Sequence, residues 1–207
     1  MRVHVIHAHP VETSYNRALF DAVVEEARSA GHEVDPLNLY EAGFDAVLSR
    51  QERLNYHDLA VNLTDEIKPY AERLLAAEVL VFIHPVWNYG YPAILKGYFD
   101  RVFLPGVSFY MDGEGDKGIP KANFKHIKKV IYVTTYGGNR WRTWLMGDPP
   151  RRVARRWAWV TFRTPKPPTY LALYDMNNNT QSQLSAFIDK VRGAIRALDG
   201  DRAAKKR

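Results

Sequence analysis

The sequence contains no cysteine, so disulfides, thiolate metal sites, iron–sulfur clusters and cysteine nucleophiles are excluded together. Chemistry must rest on oxygen and nitrogen side chains or on a bound cofactor. Equally absent is any run of roughly 18 apolar residues, which a membrane-spanning helix needs. The opening Met1-Arg2-Val3-His4-Val5 leads to His7 and His9-Pro10 without the apolar segment of a secretion signal. A cytoplasmic location without stable membrane insertion is therefore expected. No glycine-rich dinucleotide fingerprint and no P-loop lysine follow the first apolar segment, which argues against a Rossmann site and an NTPase. His7 and His9 have no partner set nearby, and no metal is expected. No repeat and no linker divides the chain. The expectation is one domain over residues 1–200, followed by a basic tail at 201–207.

What is present is an ordinary composition, 207 residues at 46% hydrophobic and 25% charged, enough for a sizeable core. Val3, Val5 and Ile6 predict a strand that stops at His9-Pro10, because the residue before proline avoids helix. Leu19, Ala22, Val23 and Ala27 recur at helical spacing, with Thr13 or Ser14 able to cap the helix start and Gly31 ending it. Val34, Leu37 and Leu39 predict a strand that Pro36 confines to a sheet edge. Residues 40–63 lack long periodicity, although Ser49-Arg50-Gln51-Glu52 is a capping-box pattern that can open a short helix. A helix is expected over 64–78, with Pro69 in its first turn or at a kink. The unbroken run Val79-Leu80-Val81-Phe82-Ile83 suits a strand buried on both faces. A helix over 92–103 follows, then a long loop over 104–126 with four glycines and two prolines. Val130-Ile131-Tyr132-Val133 and Tyr170-Leu171-Ala172-Leu173-Tyr174 predict the last strands, and Leu184, Phe187, Val191 and Ile195 stripe a closing helix. This alternation predicts an α/β three-layer sandwich, a five-stranded parallel sheet with helices on both faces.

The formal charge of +6 invites a nucleic-acid reading, and seven arginines crowd into residues 140–163. Val153, Trp157 and Val160 fall at i, i+4 and i+7 there. The preferred reading puts them toward the core and Arg152, Arg155 and Arg156 on a solvated face, with no nucleic-acid partner.

In parallel sheets of this kind ligands bind beyond the carboxyl ends of the strands, which directs attention to three loops. The first, around His9, Thr13, Ser14, Tyr15 and Asn16, brings hydroxyls, an amide and a histidine to a helix N-terminus, where free amides favour phosphate. Helix capping alone explains it equally well. The second, Pro85-Val86-Trp87-Asn88-Tyr89-Gly90-Tyr91, crowds aromatic rings at a strand end; it suits a flat ligand or serves as an apolar plug. The third, Thr134-Thr135-Tyr136-Gly137-Gly138, permits close backbone approach to polar ring atoms or simply turns the chain. Together they accommodate a phosphate at one end and a ring at the other. A flavin has that shape.

These residues resemble a family. His9-Pro10-x-x-Thr13-Ser14-Tyr15-Asn16, the segment from Pro85 through Tyr91-Pro92-Ala93-Ile94-Leu95-Lys96-Gly97 to Phe103, and Thr134-Thr135-Tyr136-Gly137-Gly138 look like the flavodoxin-like NAD(P)H:quinone oxidoreductases over residues 1–148. The resemblance implies a homodimeric flavoprotein with FAD, or alternatively FMN, and NAD(P)H as hydride donor to a quinone or similar aromatic acceptor. The first loop would hold the phosphates, the second would lie along the isoalloxazine near N5, and the third would bind the pyrimidine end. Phe109 would wall the substrate pocket of the partner subunit. Mammalian-type members carry a tyrosine and a histidine after the glycine pair; here Met146 occupies the histidine position and Trp141 or Arg142 falls near the tyrosine. Trp141 is expected at the substrate, and Arg140 or Arg142 is expected to stabilise charge on the reduced ring, since a guanidinium holds its proton. The alternative function, from relatives of the same family, is a regulatory flavoprotein ancillary to a membrane transporter.

Overall fold

A computed structural model describes residues 1–112 and 119–203, without the side chains of 199–203. Among the described residues seven strands form: β1 (Arg2–His7), β2 (Glu33–Asn38), β3 (Val79–Val86), β4 (Phe109–Asp112), β5 (Ile119–Ala122), β6 (Lys129–Tyr136) and β7 (Thr169–Leu173). Between them run α1 (Tyr15–Ser29), α2 (Arg50–Asn55), α3 (Lys68–Ala76), α4 (Ala93–Val102), α5 (Arg140–Leu145) and α6 (Pro149–Phe162), and α7 (Gln181–Ala203) follows the last strand. The main sheet has the order β2-β1-β3-β6-β7, and every pair in it is parallel. The expected five-stranded parallel sheet with helices on both faces is what forms, and the Pro36 strand does lie at an edge.

Side chains alternate along the central strands and divide the interior into two layers. Val3, Val5, Val79, Val81, Ile83, Ile131 and Val133 pack with Leu19, Val23 and Ala27 of α1 and Val191 and Ile195 of α7. Leu80, Phe82, Val130 and Tyr132 point the other way, against Leu74 of α3, Leu95, Tyr98 and Phe99 of α4, and Ala154, Ala158 and Phe162 of α6. Gly97 is required here, because a Cβ on it would lie 2.1 Å from the Ala46 carbonyl oxygen and α4 would be pushed off the 40–63 segment. That segment carries α2, opened by the expected capping box between Ser49 and Glu52. It is pinned by Arg101, 3% exposed, which donates to Glu52, Glu66 and the Asp45 carbonyl.

Three expectations are corrected. Residues 104–126 are not a featureless loop: β4 and β5 pair antiparallel, Phe109 opposite Ala122 and Asp112 opposite Ile119, so the two extended arms satisfy each other's backbone. The buried stripe of α6 is Pro150, Ala154, Ala158 and Phe162, while Val153 is 41% and Val160 64% exposed. Small alanines let the helix approach the sheet closely; only Trp157 of the expected stripe packs on the core. The helix expected from residue 64 begins at Lys68, with Pro69 in its first turn, where its missing N–H costs nothing. Of the basic tail, 201–203 continue α7 and 204–207 lie outside the described residues.

Candidate functional site

The ends of β1, β3 and β6 carry the three loops side by side. After β1, Ser14 caps α1, its Oγ accepting from the Arg17 amide at 3.2 Å, which leaves the amides of Tyr15 and Asn16 without a carbonyl one turn earlier. Thr13 is exposed beside them. The Tyr15 hydroxyl turns away to donate to the Leu184 carbonyl of α7 at 2.8 Å, so only its backbone faces the loop. Asn16 is 2% exposed; its Nδ2 donates to Thr135 Oγ1 at 3.2 Å and joins the first loop to the third. Its Oδ1 is buried and has no partner among the described residues. His9 accepts from the Val11 amide through Nδ1, and burial lowers its pKa.

Pro85 and Val86 are strand residues, because β3 runs on to Val86. Beyond it Trp87 and Gly90 exchange backbone bonds across a two-residue turn whose central residues, Asn88 (φ 49°) and Tyr89 (φ 56°), are both left-handed. His9 meets Trp87 with ring centroids 5.8 Å apart, and a Cβ on Gly138 would lie 3.8 Å from the Tyr89 hydroxyl. First, second and third loops therefore touch in sequence. Beneath them His84, fully buried, donates from Nδ1 to the Pro85 carbonyl at 2.9 Å, and burial lowers its pKa to about 4. His7, also buried, falls to about 4 through burial and then the positive charges of His9 and Arg17.

Thr134, Thr135 and Tyr136 are likewise in a strand, β6, and Gly137 and Gly138 form the turn after it. Tyr136 is buried beneath that turn, not exposed in it. Its hydroxyl donates to Asp148 Oδ1 at 2.7 Å and lies 2.6 Å from the Tyr170 hydroxyl; Tyr174 donates to Asp148 Oδ2 at 3.3 Å. Burial and then the neighbouring Tyr170 and Asp148 push the Tyr136 phenol far above its ordinary value, so it stays protonated and donates. Asp148 itself adopts a left-handed conformation (φ 45°) at the start of α6. This cluster closes the third loop at both ends, helped by the Asp175 amide donating to the Gly138 carbonyl. Sequence reasoning missed Tyr170, Tyr174 and Asp148 as parts of the site; the one signal was Gly147-Asp148, a pair of turn-forming residues just before Pro149.

The arrangement offers amides for an anion, aromatic surface for a flat ring, and a backbone turn for that ring's polar edge. The profile of a family described as having a flavodoxin-like fold matches residues 1–159. The chain belongs to that flavodoxin-like family. An Escherichia coli relative, "Uncharacterized NAD(P)H oxidoreductase YcaK", is 30% identical over 139 residues, 67% of this chain and 66% of that protein. The "FMN-dependent NADH:quinone oxidoreductase" of Lachnoclostridium phytofermentans is 34% identical over 112 residues, 51% of this chain and 52% of its own length. The alignments thus span between half and two thirds of these curated relatives. The solved NAD(P)H:quinone oxidoreductase from Methanothermobacter marburgensis is 25% identical with a TM-score of 0.81, covering 96% of this chain and 97% of that one.

In this flavodoxin-like chain the remaining predicted residues lie outside the loop junction. Phe109 is on the β4–β5 hairpin and lines a groove of about 880 Å³ with Phe103, Met111 and Trp157; Tyr91, which closes the second loop, reaches the same groove. Arg140 and Arg142 are exposed on α5, and the Arg140 guanidinium sits 5.8 Å from the Tyr174 ring centroid. Trp141 is 65% exposed and stacks on Trp144. Among the described residues no group of three or more His, Cys, Asp and Glu is placed to hold a metal ion, and no helix is long and apolar enough to cross a membrane.

Proposed function

We propose that this chain is a flavin-dependent NAD(P)H oxidoreductase that reduces quinones or similar aromatic acceptors. The observation that carries the reading is the junction of the three loops at the ends of β1, β3 and β6: His9 against Trp87, Tyr89 against Gly138, and Asn16 bonded to Thr135. The residues fit a flavin. Thr13, Ser14 and the first amides of α1 would hold its phosphate, and the unpaired buried oxygen of Asn16 turns toward no other described group. The turn of Trp87, Asn88 and Tyr89 would support the ring, and the backbone at Gly137 and Gly138 would meet its polar edge. FMN is the flavin we favour over FAD: the clostridial relative is named FMN-dependent, and the loop junction accounts for one phosphate and one ring. When bound, the flavin supplies two-electron transfer between NAD(P)H and the acceptor.

The chain's own part is positional and electrostatic. Arg140 or Arg142 places a permanent cation beside the third loop, stabilising negative charge there without moving a proton. Trp141 stands at the same end. We take the protein to act in the cytoplasm as a homodimer, with Phe109 reaching the partner's pocket. The test is the chromophore: heat-released material from purified protein, separated by chromatography, is expected to be FMN, and NADH or NADPH is expected to be consumed when a quinone is added. Folded protein that neither carries nor binds a flavin ends this reading.

A further inference from the structure

The surface formed by α5 and the outer side of α6 has an unusual chemistry. Trp144 and Leu145 are 66% exposed, Trp141 65% and Met146 53%, so four large apolar side chains in a six-residue stretch face solvent. The two indoles stack on each other at 5.0 Å. Around them, residues 139–174 carry seven arginines and one lysine against a single acid, Asp148. That acid is turned inward and engaged by Tyr136 and Tyr174. Among the described residues Arg142, Arg152, Arg155 and Arg156 have no carboxylate partner. Arg152, Arg155, Arg156 and Trp159 share one side of α6 by helical spacing. The Arg152 guanidinium lies beside Gly147, next to Met146, which makes the apolar and cationic parts contiguous.

We propose that this surface docks on an anionic lipid bilayer. Trp144, Leu145 and Met146 enter the boundary between headgroups and acyl chains, and Arg152, Arg155 and Arg156 meet the lipid phosphates. Indoles suit that boundary because one edge is polar and the face apolar. A second copy of the chain is a poor occupant, since two-fold pairing would bury two copies of a surface whose arginines find no free carboxylate in it, Asp148 being engaged by Tyr136 and Tyr174. Single-stranded nucleic acid is a poorer match too. Its bases reward open aromatic faces, whereas here the indoles cover each other and the adjoining apolar side chains are aliphatic. The inference stands on this surface and does not depend on the redox reading; the patch begins at Trp141, three residues beyond Gly138, so docking would bring the loop junction close to the lipid.

Co-sedimentation of the full chain with vesicles tests it. The protein is expected to pellet with vesicles of equal phosphatidylglycerol and phosphatidylcholine, to remain in solution with phosphatidylcholine alone, and to be released by high salt. Tryptophan emission should shift to the blue on binding. Arg152→Glu/Arg155→Glu/Arg156→Glu and, separately, Trp144→Ser/Leu145→Ser/Met146→Ser should each lower the bound fraction at least roughly tenfold. Circular dichroism and thermal melting of both variants should match the parent. No pelleting with the anionic vesicles overturns the proposal, as does undiminished pelleting of both folded variants. So does a change from oligomer to monomer in the apolar variant with vesicle binding intact, or tight binding of a single-stranded oligonucleotide in place of vesicles.

Discussion

The two layers either side of the sheet are built from different materials. Between the sheet and helices α1 and α7 the interior is almost wholly aliphatic, with Phe20 and Phe187 its only buried aromatics among the described residues. Between the sheet and α3, α4 and α6 it is dominated by rings: Phe82, Tyr98, Phe99, Phe103, Phe124, Tyr132 and Phe162 meet mostly edge to face. Branched aliphatics interdigitate and leave no room. Rings set at steep angles do not tile a surface completely, and it is on this side that the 880 Å³ groove opens and that buried charge appears at Arg101. One layer holds the sheet; the other also shapes a cavity.

The sharpest way to break the aromatic layer is at its charge. Arg101→Met leaves Glu52, 10% exposed at its side chain, without its cation, and a stability loss of about 3–5 kcal/mol in urea unfolding is expected. A loss below that of the Tyr15 change described next would show that the network is solvated in practice.

Each layer also buries a histidine: His84 packs on Tyr91 and Tyr132, and His7 on Phe20. Both have folded pKa values of about 4 against an ordinary 6.5. Below pH 6.5 the unfolded chain therefore binds more protons, so their stability contribution is complete above that pH and falls as the pH drops toward 4. Each contributes about 3 kcal/mol to that loss by linkage. His84→Gln should flatten the dependence of melting temperature on pH over this window, and an unchanged slope would remove His84 as a source.

Smaller effects are expected on the aliphatic side. Asn16→Ala removes the bond to Thr135 that joins the first and third loops, and should weaken flavin retention by about 1–2 kcal/mol in equilibrium titration. A fall in melting temperature with flavin affinity intact would assign Asn16 to the scaffold alone. Tyr15→Phe deletes the bond from α1 to the Leu184 carbonyl and should cost about 1 kcal/mol, read by urea unfolding. A cost of several kcal/mol would mean that α1 and α7 rely on that hydrogen bond more than on their apolar faces.

Local signals in the sequence carried the sheet and most helices. The Val79 to Ile83 run, the edge proline Pro36, the capping box at Ser49 and Pro92 before α4 each act over a few residues, and each formed as its chemistry dictates. What escaped depends on distant partners. The β4–β5 hairpin is invisible in a glycine-rich stretch until Phe109 finds Ala122. On α6 the larger Val153 and Val160 drew attention from Ala154 and Ala158, although close packing against a sheet favours the smaller side chains. In the site, the loops were legible as loops, but the bonds that fix them were not. Asn16 reaches Thr135 across 119 residues and Tyr136 reaches Tyr170 across 34. No periodicity encodes such pairings.

The packing of α7 against α1 has a consequence for how the chain is made. Tyr15 finds its acceptor 169 residues later, and the aliphatic face of α1 with Leu19 and Val23 is covered in part by Val191 and Ile195. A ribosome delivers α1 among the first helices and α7 after every other described element. During synthesis that greasy stripe stands uncovered while β3, β6 and β7 are still being added, in an order that inserts each new parallel strand beside one already placed. That part of the α1 face stays uncovered until α7 has emerged, and the last of the described helices is the clasp that retires the first.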